Sequence, residues 1–311
     1  MKFSNFQPRT SNFQPRTSNL QPRTSNLQPP TFLVGLWYKP LTMSTYYKDK
    51  VVVVTGGTDG IGKALVEKLL DLGAKVATCG RSHDKLYQLQ ASHPSSALHT
   101  MVADVSNEND CRRLMETTIK MFGGIDVLIN NAGISMRAIL QEANIDVFKK
   151  VMDINYFGVI YCTKYALDSI IERKGTIVGV SSIAGYRGLP GRSGYSASKF
   201  ALQGWLESIK TELMTQGVHV MWVCPGFTTS NIRNAALNKD ADSHGETPMD
   251  ESKMMPAGEC ADHILRAIRK KKRTLVLTFT GKRTVFMQKF LPGLADKMVH
   301  KFFFKDGKLA K

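Results

Sequence analysis

In the run SGYSASKF, Tyr195 and Lys199 stand four residues apart, and Ser182 lies 13 residues before the tyrosine. On a helix, positions i and i+4 share a face, so the lysine ammonium can stand beside the phenol. A free tyrosine titrates near about 10 and is a poor acid–base group at neutral pH. A positive charge close by favours the phenolate and lowers that value. A serine hydroxyl can polarise a carbonyl. The three together suit moving a proton on and off a carbonyl or alcohol oxygen. The pair alone is weak, because Tyr-x-x-x-Lys occurs on many solvated helix faces. The rest of the chain gives it meaning.

From Lys50 onward, short apolar runs alternate with helical patterns. VVVVT (51–55), KVATC (75–79), LHTMVADV (98–105), IDVLIN (125–130), GTIVGVSS (175–182), VHVMWV (218–223) and TLVLTF (274–279) read as strands. Between the first two, apolar residues at 61, 64, 65, 66, 69 and 70 predict a helix packed on one side. Strands of this kind separated by helices imply a parallel sheet covered on both faces, a doubly wound α/β fold of Rossmann type.

TGGTDGIG (55–62) follows the first strand and opens the first helix. Gly56, Gly60 and Gly62 permit a tight turn and close approach of a phosphate, and the helix N-terminus offers unpaired N–H groups to an anion. Gly56, Thr58, Asp59, Gly60 and Ile61 are the expected dinucleotide contacts. The second strand ends in Cys79-Gly80-Arg81-Ser82, with no acidic residue to bind a ribose 2′-hydroxyl. Arg81 can instead pair with a 2′-phosphate, so NADP(H) is expected over NAD(H).

With these features in place, roughly residues 48–280 resemble a short-chain dehydrogenase/reductase. The match rests on TGGTDGIG, ADV (103–105), NNAG (130–133), Asn155 in DINYFG, Ser182 in VSSIAG, YSASK (195–199) and PG (225–226), in that order. The resemblance implies Tyr195 as acid–base residue, Ser182 as orienter of the carbonyl, and Lys199 as ribose ligand and tuner of the tyrosine. It implies that Asn155 anchors a water linking Lys199 to solvent. Asp104 and Val105 would flank the adenine, and Asn131, Ala132 and Gly133 would line the cofactor. The segment after Pro225-Gly226, with Thr228 or Ser230, would meet the carboxamide. A dimer or tetramer, with the helix holding Trp205 at its interface, is also implied.

The expected reaction interconverts a ketone and a secondary alcohol, with a hydrophobic or lipid-like substrate. The alternatives are a soluble reductase of 3-oxoacyl or small carbonyl compounds and a non-catalytic NADP-sensing protein. Residues 227–256, polar and irregular, sit where a substrate lid belongs, with Phe227, Met254 and Met255 as apolar contacts.

The ends of the chain differ from the middle. The net charge is +16, and residues 266–311 carry 14 Lys/Arg against two Asp. Residues 281–311 mix those cations with Phe, Leu, Met and Val, and such a basic amphipathic extension can lie on an anionic membrane or pack on the domain. This tail resembles the member-seven branch of animal dehydrogenase/reductase short-chain enzymes, which implies membrane association and lipid or steroid-like ketones. The anchor that precedes the domain in that branch is not evident, so a cytoplasmic protein, peripheral on a membrane at most, is expected. No nucleic-acid recognition motif accompanies the charge. Residues 1–42 contain four near-identical units, SNFQPRT twice, SNLQPRT and SNLQPPT. A proline in each excludes a coiled coil, so disorder is expected, with Met43 as the natural start. Five cysteines without a Cys-x-x-Cys pair suggest neither a disulfide framework nor a zinc site, and no metal is expected.

Overall fold

The computed structural model describes residues 42–94, 97–243, 245 and 254–309. The heptapeptide repeats lie outside the described residues, as does part of the expected lid.

All seven expected strands form. They are β1 (Val51–Thr55), β2 (Lys75–Gly80), β3 (Leu98–Val102), β4 (Val127–Asn130), β5 (Thr176–Val180), β6 (His219–Cys224) and β7 (Thr274–Val276). They make one sheet in the order β3-β2-β1-β4-β5-β6-β7, with every pairing parallel. The order reverses between β1 and β4, which opens a crevice beyond their carboxyl ends. That crevice is where the sequence motifs converge.

Successive side chains of a strand point to opposite faces, and β1 shows the consequence. Val53 enters the core formed with α4 (Glu108–Phe122), α5 (Ile145–Met152), α6 (Gly158–Glu172) and α7 (Ser193–Glu212). Val52 and Val54 enter the opposite core, built with α1 (Met43–Tyr47), α2 (Gly60–Asp71), α3 (His83–Ser92) and α8 (Ala257–Arg269). A strand buried on both faces has no polar side to alternate, which is why β1 reads as an unbroken valine run. The buried Tyr47 hydroxyl donates to the Leu265 carbonyl at 2.8 Å and ties α1 to α8.

Two strands end three residues short of the sequence reading. β3 stops at Val102, and Ala103 to Val105 turn away to edge the crevice. β7 stops at Val276, because Thr278 adopts φ +62° and its hydroxyl accepts from the Gly281 amide at 3.1 Å. This cap starts α9 (Phe279–Phe290), which α10 (Pro292–Phe303) and a short hairpin, β8 (Phe304–Lys305) and β9 (Lys308–Leu309), follow. No helix among the described residues is long and apolar enough to cross a membrane.

Candidate active site

The turn between β1 and α2 is set by local sterics. Gly56 has φ +68°, and a Cβ there would lie 3.0 Å from the Ala132 Cα across the crevice. Thr55, not singled out in the sequence, joins the two sides of the switch point. Its hydroxyl accepts from the amides of Asn131 and Ala132, each at 3.0 Å. The Asn131 side-chain amide returns to the carbonyls of Thr55 and Gly56 at 2.9 and 3.2 Å. Asp59 occupies the N-cap of α2 without capping it, and its carboxylate pairs with Lys85 Nζ at 2.8 Å. The first N–H groups of α2 therefore stay available to an anion, as a phosphate-bearing ligand requires.

A cavity of about 610 Å³ runs along the crevice. Every expected cofactor residue lines it: Gly56, Thr58, Asp59, Gly60, Ile61, Arg81, Asp104, Val105, Asn131, Ala132, Gly133, Tyr195, Lys199, Pro225, Gly226 and Thr228. Ser182 and Ser230 line it too. Arg81 is exposed on the wall beside Gly80 and forms no ion pair among the described residues. Asp104 reaches the cavity differently from a free acid. Its carboxylate accepts from the Ser106 amide and hydroxyl at 2.9 and 2.7 Å, fixing its own loop. An elongated dinucleotide fits this donor set, with phosphates toward α2 and its reactive end toward α7.

At that end, Ser182 caps a 3₁₀ turn (Ile183–Gly185), its oxygen accepting from the Ala184 amide at 3.2 Å. Tyr195 and Lys199 lie on one face of α7, as their spacing predicts, with Lys199 Nζ 5.7 Å from the Tyr195 ring centroid. The electrostatics differ from the expectation. Burial raises the Tyr195 pKa, while a Ser182 hydrogen bond and the Arg192 charge pull it back. Lys199 stands beside the same phenol. Its ammonium is buried and donates to the Val180 carbonyl at 2.9 Å, and burial lowers its pKa to about 8. A further cation acting on Tyr195 is Arg192, one helical turn earlier, which sequence spacing did not flag.

Asn155 is held in the core. It sits in a π-helical turn, Asp153–Phe157, fully buried and off the cavity wall. Its side chain accepts from the Ile134 amide at 2.8 Å and donates to the Ile134 carbonyl and the Ser198 hydroxyl at 2.9 and 3.0 Å. With those contacts the side chain acts as a tie that sets the NNAG segment against α7. Gln203, another unflagged residue, braces the serine loop by donating to Ser181 Oγ at 2.8 Å.

The substrate end is more apolar than the sequence suggested. Phe227 lines the cavity as expected, but Met254 and Met255 do not. Met254 is buried, and Met255 packs toward α2 and α8 while its amide and carbonyl pair with Phe227 and Thr229. The segment from Thr228 onward is irregular and is tied across the opening, where Leu237 donates to Ser135 and accepts from Arg137. The wall not foreseen comes from the C-terminal helices, which contribute Met287, Ala295, Met298, Val299, Phe302 and Phe303. The tail thus packs on the domain. Arg187, from the loop after Ser182, donates to Gln288 at 2.8 Å and pairs with Asp296 at 2.5 Å. Arg192 lies over the Phe303 ring, 5.7 Å from its centroid.

A glycine turn, a topological switch point and a Ser–Tyr–Lys set at the carboxyl edge of a parallel sheet define a Rossmann-type oxidoreductase. Residues 50–241 match the family described as short chain dehydrogenase, and the chain belongs to the short-chain dehydrogenase/reductase family of oxidoreductases. Dehydrogenase/reductase SDR family member 7B of Mus musculus is 35% identical over 257 residues, covering 80% of each chain. Dehydrogenase/reductase SDR family protein 7-like of Anopheles gambiae is 31% identical over 276 residues, or 84% of this chain and 87% of that one. Among solved structures, a short chain dehydrogenase/reductase from Burkholderia phymatum in complex with NAD superposes with a TM-score of 0.72 at 22% identity. It matches over 80% of this chain and 95% of that one. A short chain dehydrogenase from Burkholderia cenocepacia J2315 in complex with NADP gives 0.69 at 23% identity, over 81% and 98%.

Proposed function

We propose that this enzyme interconverts a hydrophobic ketone and its secondary alcohol with NADP(H). The single observation that carries the reading is one continuous cavity holding the glycine turn and Arg81 at one end and Ser182 and Tyr195 at the other. The nicotinamide supplies the hydride in reduction and accepts it in oxidation. The protein's own groups act on the oxygen. Ser182 and Tyr195 hydroxyls hydrogen-bond it as negative charge grows, and Tyr195 delivers the proton. A pKa raised by burial keeps Tyr195 protonated, which suits it to donate in the reducing direction. Arg192 and Lys199 hold positive charge near the developing anion.

Arg81 favours NADP(H), since a guanidinium pairs with a 2′-phosphate and β2 ends without an acidic residue to prefer a ribose diol. The apolar walls from Ile183, Leu189, Ile232 and the C-terminal helices favour a hydrophobic ketone over a small polar carbonyl.

NADPH oxidation by the full chain across a series of ketones of rising chain length tests this reading. Turnover should rise with chain length, and Tyr195→Phe should cost about 10²–10⁴-fold in kcat with NADPH still bound. Unchanged kcat in that variant would refute the proton-donor role. Arg81→Ala should weaken NADPH by more than tenfold over NADH, since about 1.5–3 kcal/mol rests on a charged hydrogen-bonded contact. Equal weakening of the two would remove the cofactor preference.

A further inference from the structure

The helices α9 and α10 have two apolar sides. Thr284, Met287, Ala295 and Met298 face the cavity, whereas Phe286 and Phe290 are each 58% exposed on the other side. Those two rings pack together with centroids 4.8 Å apart. Leu291 and Leu294, at the turn between the helices, are also about half exposed and extend the same patch. A helix that is apolar on opposite sides requires a second apolar medium besides the domain.

Charge identifies that medium. Lys282, Lys289, Lys297 and Lys301 are exposed around the patch and pair with no carboxylate among the described residues. The nearby acid, Asp296, is already neutralised by Arg187. A second copy of this face would bring like charges together, which opposes self-association. Exposed aromatic and leucine side chains ringed by unpaired lysines match an anionic lipid surface, where apolar groups enter the acyl boundary and lysines meet headgroups.

We propose that the α9–α10 hairpin docks on an anionic bilayer and admits an apolar ketone from it into the cavity that the same two helices wall. The docking half stands on this surface alone; the delivery half rests on the reading of the cavity as the site of a hydrophobic ketone. The geometry places the portal where Met298 lines the cavity while itself 41% exposed, so one side chain borders both media.

Flotation of the full chain with phosphatidylcholine vesicles, with and without phosphatidylserine, tests the docking. Binding should appear with phosphatidylserine and fall at least tenfold without it. Phe286→Ser with Phe290→Ser should lower binding at least tenfold, and Lys289→Glu with Lys297→Glu should do the same. None of these four residues lines the cavity, so NADPH binding and NADPH oxidation with a short water-soluble 2-ketone should be unchanged. Oxidation with a long-chain 2-ketone carried in the vesicles should fall in parallel with flotation. Wild-type protein that stays with the soluble fraction, or variants that float like wild type, would overturn docking. A phenylalanine double variant that converts a dimer to a monomer while still floating would assign the patch to a second copy and overturn it too. If vesicle-borne and soluble ketones respond equally to the variants, delivery is overturned. If no ketone is reduced yet flotation behaves as stated, docking stands and the carbonyl reading fails.

Discussion

Helix α8 and the α9–α10 pair follow each other in the chain, yet they are held in opposite ways. Helix α8 buries Cys260, Ala261, Ile264, Leu265, Ala267 and Ile268 against α2 and the sheet. Helix α9 buries only Gly281, and α10 only Ala295 and Phe303. The first belongs to the core and follows its apolar stripe. The second is a thin wall, fixed by Arg187 and by Phe303 under Arg192, and leaves most of its apolar surface in solvent. The difference separates what folds the domain from what shapes the entrance to its cavity.

The contrast breaks most visibly at the core. Ile264→Ala should cost about 2–5 kcal/mol in denaturant unfolding, as for a fully buried aliphatic side chain. A cost near zero would mean that α8 is not part of the cooperative core.

Lys199 sharpens the comparison from inside the core, because it is a charge held where the fold would prefer none. Its folded pKa of about 8 lies below the unfolded value of about 10.4. The unfolded chain therefore binds more protons between those values, and stability from this group rises as pH rises through that window. Below about pH 8 the full burial cost applies. Lys199→Met should stabilise the protein at pH 7 by about 1–2 kcal/mol, net of the hydrogen bond lost at Val180, while abolishing turnover. That gain should shrink toward pH 10, and a gain independent of pH would exclude the buried ammonium as its cause. Ketone reduction by the wild type should decline as pH rises through about 8, as the ammonium loses its proton.

At the wall, effects should be smaller and local. Arg187→Ala should cost about 1 kcal/mol or less overall, because Asp296 is two-thirds exposed and stays solvated. Amide exchange should nevertheless speed up across residues 279–303 and not in the sheet, and uniform loss of protection would show that the hairpin is part of the core. The smallest effect belongs to Phe286→Ser, expected within about 0.5 kcal/mol of wild type because the ring is exposed.

Legibility in the sequence follows the same division. All seven strands could be read because each is buried, and burial on both faces forces unbroken apolar runs. The glycine turn and the Ser182, Tyr195 and Lys199 set were legible because they depend on neighbours a few residues away. Arg192 was not, although it stands only three residues before Tyr195, because it lies at the N-cap of α7, outside the helix whose spacing was read. Thr55 and Gln203 were missed because an ordinary polar residue shows its role only through its partners. Met254 and Met255 were misplaced because apolar character alone does not say which apolar space a loop residue fills.

By itself, the sequence determined the sheet, the position of the phosphate turn and the four-residue spacing that aligns Tyr195 with Lys199. Those rest on local sterics and on periodicity, which a linear chain records. Only the tertiary structure decided that Arg192 also addresses the phenol, that Lys199 is turned to Val180, that Asn155 is tied to Ile134 and Ser198, and that the C-terminal helices wall the cavity. Burial, distance and charge in three dimensions control those outcomes, and none of these quantities is written in residue order.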